Sequence, residues 1–221
     1  MTSRVTLISP AVSRSLREAR FDDGCPLDEA GAARARSAEG AFRRPDRAVA
    51  SPTVRCAQTA SALGLDASAV PDLAGLRVGR WQGRTLGEVG AQEPEALVSW
   101  MTDPSAAPHG GESVRELCDR VTAWLGSAAE AAGRTVAVVE PEIVRAVVVR
   151  ILGAPEPAFW RVDVPPLTAV TVSGRAGRWN VRIGEPLGAP GVGEARRADA
   201  MQPPEPTPCR RRKPPREGPG A

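Results

Sequence analysis

An apolar run, Val5 to Ile8, stops at Ser9-Pro10-Ala11, and a segment with Arg14, Arg17 and Arg20 follows at helical spacing. Strand-to-helix junctions of this kind hold anions and substrates in α/β proteins, because free backbone N–H groups converge there. Two further runs stop in the same way, at Ser51-Pro52 and at Glu140-Pro141. Pro10 has neither a nucleophilic atom nor an N–H to offer. Ser9 has a hydroxyl but no histidine base in its own loop, so an activated serine is not expected there.

The four cysteines, Cys25, Cys56, Cys118 and Cys209, are widely spaced and form no CxxC pair. Disulfide frameworks and zinc sites need closer organisation, so isolated thiols in a reducing compartment are expected, with no metal and no cofactor. Cys25 and Cys56 would become nucleophiles only if a neighbouring cation lowered their pKa.

The elements that must position these groups follow from periodicity. After the opening strand, residues 26–42 have Asp28 as N-cap and an Ala-rich helical run. RAVAS reads as a short buried strand, and residues 53–65 as a helix closed by Gly64. Residues 71–111 read as a loop-rich excursion. The strongest helix follows over 112–132, with Val114, Leu117, Val121, Trp124 and Leu125 on one face. TVAVV is a β-branched strand, EIVRAVVVRILG a helix ending at Gly153, and TAVTVSG and RWNVRI are late strands. The order β-α-β-α, excursion, α-β-α-β-β implies a mixed sheet covered by helices, with the site at strand C-terminal ends.

Composition sets the outer bounds. A chain of 221 residues can bury one sizeable core. No apolar run is long enough for a membrane span, and no cationic segment leads into a secretory h-region, so a cytoplasmic protein without membrane contact is expected. Seven basic and four acidic residues from Leu187 onward account for the whole net charge of +3. The body, residues 1–186, is formally neutral, so the basic pI is no argument for nucleic-acid binding. The Pro/Arg-rich segment 187–221 has too little apolar surface to offset the entropy of ordering and is expected to be disordered.

The order and spacing of motifs resemble the histidine phosphatase superfamily, with its phosphoglycerate mutase-like fold. LISPA stands where that family has LxRHGxT. Pro26–Gly31 resembles its PLTxxG segment, and Ser51-Pro52-Thr53-Val54-Arg55-Cys56-Ala57-Gln58-Thr59-Ala60 closely matches SPLxRxxQTA. Val78–Gly83 resembles the FGxWEG turn, His109–Ser113 the PGGES segment, and Val139–Ala146 the late VTHxxxxRA strand end. The resemblance spans about residues 4–184 and implies an α/β fold of three α/β/α layers around a mixed, mostly parallel sheet.

Carried over residue by residue, the resemblance puts Pro10 at the family's phosphate-accepting histidine, Ser9 at its neighbouring arginine and Glu140 at its second histidine. Arg55, a phosphate-binding arginine, and Glu112, the usual proton donor, are retained. The single histidine of the chain, His109, stands beside Glu112. Phosphohistidine chemistry is therefore not expected, and Glu140 would repel phosphate.

What remains is acid/base equipment. Two carboxylates, Glu140 and Glu112, would face one pocket, with Arg55 orienting a substrate carboxylate or oxyanion and Ser9, Pro10 and His109 lining it. The expectation is a repurposed enzyme performing isomerisation, dehydration or cyclisation of a small metabolite. The alternatives are a catalytically silent binding protein and, less favoured, a phosphatase with His109 or a cysteine as replacement nucleophile. A small-molecule ligand is the expected partner, and homo-oligomerisation is left open.

Overall fold

A computed structural model of the chain describes residues 2–41, 43–175 and 178–187. Almost all of the segment expected to be disordered, from 188 onward, lies outside them.

Six strands form one sheet in the order β3-β2-β4-β1-β5-β6. They are β1 (Ser3–Ile8), β2 (Arg47–Ala50), β3 (Ser68–Ala69), β4 (Gly133–Val138), β5 (Thr168–Arg175) and β6 (Arg178–Pro186). The pairs β1–β4, β2–β4 and β2–β3 are parallel, whereas β5 runs antiparallel to β1 and β6 antiparallel to β5. The α/β, mixed-sheet expectation therefore holds.

Side chains alternate between the two faces of the sheet. Val5, Leu7, Ala137, Val139, Val170 and Val172 enter one core with helices α6 (Val114–Glu130) and α7 (Pro141–Leu152). Ile8, Ala50, Val136 and Val138 enter a second core with helix α3 (Val54–Ala62). Leu117 of α6 is fully buried, a gain of about 1.5–3 kcal/mol for a side chain of this size.

Local chemistry sets the boundaries. Helix α2 (Glu29–Ser37) starts where the Asp28 side chain accepts from the Gly31 N–H at 2.6 Å. Gly31 has no substitute there, because a Cβ would lie 2.2 Å from the Val12 carbonyl oxygen. Helix α6 opens on a capping box between Ser113 and Glu116. Helix α7 begins with Pro141 at its first turn and ends at Gly153 in the left-handed region.

Two readings need correction. The segment carrying Arg14, Arg17 and Arg20 is helical only over α1 (Arg14–Arg17), where Ala19 takes a positive φ and ends it. The loop-rich excursion contains helices α4 (Leu86–Gln92) and α5 (Pro94–Thr102). Thr85 and Glu88 form a capping box, and Pro94 starts the next helix, so short-range capping builds structure where apolar periodicity is weak. This excursion closes over an aromatic cluster of Trp81, Trp100, Phe21 and Trp160.

Candidate active site

Three strand ends converge as the topology requires, because β1, β2 and β4 are parallel neighbours. At the end of β1, Ser9 is fully buried. Its Oγ donates to the Pro165 carbonyl at 2.6 Å and accepts from the Thr168 N–H at 3.0 Å. The hydroxyl expected to line a substrate pocket instead ties β1 to the approach to β5. Pro10 is buried too, and its carbonyl accepts from the Leu167 N–H at 3.3 Å. The next N–H, from Ala11, goes to Thr59 Oγ1 at 3.0 Å.

At the end of β4 stands Glu140, only 1% exposed. Arg55, in the first turn of α3, donates to it from Nε at 2.9 Å and from Nη2 at 2.5 Å. Thr53, the N-cap residue of α3, makes no capping bond; its hydroxyl donates to Glu140 Oε1 at 2.7 Å. The Cys56 thiol adds a 3.5 Å contact to the same oxygen. The β2–α3 junction therefore presents a guanidinium, a hydroxyl and a thiol, and all of them converge on a carboxylate of the chain itself.

Two further carboxylates surround this pair. Asp22 Oδ1 lies 3.8 Å from Arg55 Nη1. Glu142 Oε1 accepts from the Leu76 N–H at 3.2 Å. Gly75 allows that approach, since a Cβ there would come within 3.0 Å of Glu142 and 3.1 Å of Glu140. Burial raises the pKa of Asp22 and of Glu142, and the Glu140 charge adds to the rise while Arg55 opposes it. Burial works against the Arg55 charge, but Glu140 outweighs it and the guanidinium pKa rises. Burial, reinforced by Glu140, pushes the Cys56 thiol well up, so it is no thiolate nucleophile.

Glu112, also buried, has a different arginine. Arg120 of α6 donates from Nε to Oε1 at 2.9 Å and from Nη2 to Oε2 at 2.8 Å. Its Nη1 reaches the carbonyls of Asp72 and Ala74. The expected arrangement of two carboxylates sharing Arg55 is thus replaced by separate arginines, Arg55 for Glu140 and Arg120 for Glu112, with Arg77 a further 3.9 Å contact of Glu112.

His109, expected to line the pocket, is instead buried against the aromatic cluster. It is 1% exposed, with its ring 4.9 Å from Trp81 and 5.9 Å from Trp100. Its Nδ1 accepts from the Gly111 N–H at 3.0 Å, which assigns the proton to Nε2. Burial, with Arg80 nearby, lowers its pKa, so the ring is neutral and serves packing.

Asp22, Glu142, Thr53 and Arg120 escaped sequence reasoning. Glu142 had one available signal, lying two residues past Glu140 across a helix-starting proline. Asp22 had none, because its partner Arg55 is distant in sequence, whereas Arg120 stands only eight residues past Glu112, about two helical turns along the chain. Among the described residues no group of three or more His, Cys, Asp or Glu side chains is arranged to hold a metal ion.

A family model described as the histidine phosphatase superfamily (branch 1) matches residues 14–183. A glucosyl-3-phosphoglycerate phosphatase of Mycolicibacterium vanbaalenii is 42% identical over 85 residues, 36% of this chain and 37% of that protein. A bifunctional protein of Mycobacterium tuberculosis is 38% identical over 77 residues, 33% of this chain and 21% of that protein. The matched stretch thus spans little more than a third of the first relative and about a fifth of the second. Among solved structures, a mycobacterial glucosyl-3-phosphoglycerate phosphatase superposes with a TM-score of 0.73 at 22% identity, covering 83% of this chain and 99% of that one. The alpha-ribazole phosphatase from Shigella flexneri superposes with a TM-score of 0.72 at 18% identity, covering 82% and 95%. These structural likenesses carry the fold.

Proposed function

The chain belongs to the histidine phosphatase superfamily, and from that premise we propose that it is a catalytically silent member whose phosphate pocket is closed by its own carboxylate. The carrying observation is the Arg55–Glu140 pair. The guanidinium that would bind a phosphoryl group is engaged, and Glu140 accepts from Arg55, Thr53 and Cys56 at once. A phosphate brought to within about 4 Å of Glu140 meets a repulsion of ~4 kcal/mol at an effective dielectric of 20. The single histidine is buried among indoles, so no imidazole is free to accept a phosphoryl group. On this reading the protein binds a small-molecule ligand and does not hydrolyse phosphomonoesters of the kinds named for its relatives. The three cysteines among the described residues are unpaired, which supports a reducing compartment such as the cytoplasm.

Turnover of p-nitrophenyl phosphate tests the proposal. The expected result is no turnover by the wild-type chain, together with saturable binding of orthophosphate, read by calorimetry, only after Glu140→Ala. Wild-type turnover that disappears in Arg55→Ala would overturn it.

One observation favours a second reading, acid/base catalysis on a non-phosphorylated metabolite. Asp22 and Glu142 both have raised pKa values beside Glu140, which places a proton donor next to an acceptor. In that case Glu142 takes the role expected of Glu112, whose oxygens are both held by Arg120. Turnover lost in both Glu140→Gln and Glu142→Gln, but kept in Glu112→Gln, would select this reading.

A further inference from the structure

The core formed with α3 covers only the C-terminal half of its sheet face. Beyond Ile8, Val136 and Val138 the same face continues to the N-terminal half of β1, where alternation predicts further inward residues. Those residues are polar, and together with Arg43 they line a cleft of about 470 Å³.

Register arranges the cleft in two rows. In the first, Arg4 stands beside Arg134 on β4 and Ser173 on β5, and Ser173 stands beside Asn180 on β6. In the second, Thr6 stands beside Thr171, and Thr171 beside Arg182. With strands ~4.8 Å apart and two residues spanning ~6.7 Å, Arg4 and Arg182 lie about 12 Å apart across a floor of hydroxyl and amide groups. Thr6 and Thr171 share one hydroxyl contact at 3.2 Å and keep further hydrogen-bonding capacity.

The charge pattern needs an explanation. Like charges on adjacent strands, as in Arg4 and Arg134, are unfavourable when nothing lies between them. Among the described residues, Arg134 has one distant carboxylate, Asp46 at 3.9 Å, and Arg4, Arg43 and Arg182 make no ion pair. The Nε of Arg134 is buried and has no hydrogen-bond partner. Four guanidiniums therefore line one concave space and, among the described residues, share a single carboxylate, Asp46 at 3.9 Å from Arg134.

We propose that this cleft binds a small ligand carrying two or more phosphate groups, held by Arg4 and Arg134 at one end and Arg182 at the other, with Arg43 as a further cation of the lining. The volume suits a small molecule. Among the described residues that line it there is no aromatic side chain on which a base could stack, so a single-stranded nucleic acid is the poorer fit. The chain's own segment from Leu187 onward has a net charge of +3, and a second copy would bring the same arginines, so neither complements the cleft. The inference concerns a face remote in sequence register from Glu140 and does not depend on the silence of that pocket.

Isothermal titration of the full chain with tripolyphosphate tests it, with orthophosphate and a single-stranded oligonucleotide as comparison probes. Saturable tripolyphosphate binding is expected, weakened by salt and about tenfold weaker in Arg4→Gln or Arg182→Gln, as the loss of one charge-assisted contact requires. Arg14→Gln, at an exposed arginine outside the cleft, should leave it unchanged, which separates a contact in the cleft from a general change of net charge. Both arginines are exposed, so their variants should fold, and equal thermal midpoints verify that they do. The proposal is overturned by absence of saturable binding at low salt, by binding indifferent to Arg4 and Arg182, or by tighter binding of the oligonucleotide.

Discussion

Arg55 and Glu140 are 85 residues apart in sequence, yet Nη2 of one lies 2.5 Å from Oε2 of the other, with both side chains nearly inaccessible. The parallel pairing of β2 with β4 makes this contact possible, since it brings the start of α3 beside the start of α7. A buried pair of this kind is asymmetric in its energetics. Breaking it is costly, whereas replacing it whole is not.

The first prediction follows from that asymmetry. Arg55→Ala leaves a buried carboxylate without its cation and should destabilise the fold by about 3–5 kcal/mol. The double variant Arg55→Met/Glu140→Leu should recover most of that loss. Urea unfolding of the wild type, both single variants and the double variant measures the coupling, and additive losses would contradict it.

Glu142 should make stability fall as pH rises. Its folded pKa is raised above the ordinary carboxylate value of 4.5, so the folded state prefers the protonated form. Its contribution is therefore complete below about pH 4.5 and is lost as pH climbs through the folded value. Glu142→Gln should melt higher than wild type at pH 7, with the advantage vanishing in acid. A melting difference independent of pH would show that Glu142 is not the titrating group.

His109 gives the opposite slope. Burial lowers its pKa below the ordinary 6.5, so the unfolded state binds the proton more readily. Stability should decline as pH drops below about 6.5 through the folded value. Replacement by Gln, which can still accept the Gly111 N–H, should flatten that part of the profile. NMR titration of the one histidine should show a depressed pKa, and a value at or above 6.5 would refute the buried, neutral assignment.

Gly31→Ala should cost about 1–3 kcal/mol, the range for overpacking, because the new Cβ would meet the Val12 carbonyl oxygen at 2.2 Å. The clash lies where α2 crosses the loop after β1, so thermal melting and the chemical shifts of residues 9–13 should change together. An unchanged melting temperature would mean that this loop yields freely.

Much of the fold was legible in the chain. Val5–Ile8, the RAVAS run and TVAVV are mostly apolar, and each ends at a Ser-Pro or Glu-Pro pair that a strand cannot continue through. The face of α6 was legible because Val114, Leu117, Val121 and Leu125 repeat at helical spacing and all are buried. The excursion was misread as loop because α4 and α5 are held by capping and by packing under Trp81 and Trp100, and apolar period does not record either.

By itself the sequence determined that Pro10 offers no nucleophile, that a single histidine exists, and that Arg55, Glu112 and Glu140 are present. These are properties of covalent structure, and folding cannot change them. Tertiary structure alone decided how they are paired: Glu140 with Arg55, Glu112 with Arg120, and His109 with the indoles. The Arg55–Glu140 pairing depends on distances of a few ångströms between residues 85 apart in the chain. Those distances are set by strand order and register, which the residues at the site do not themselves encode.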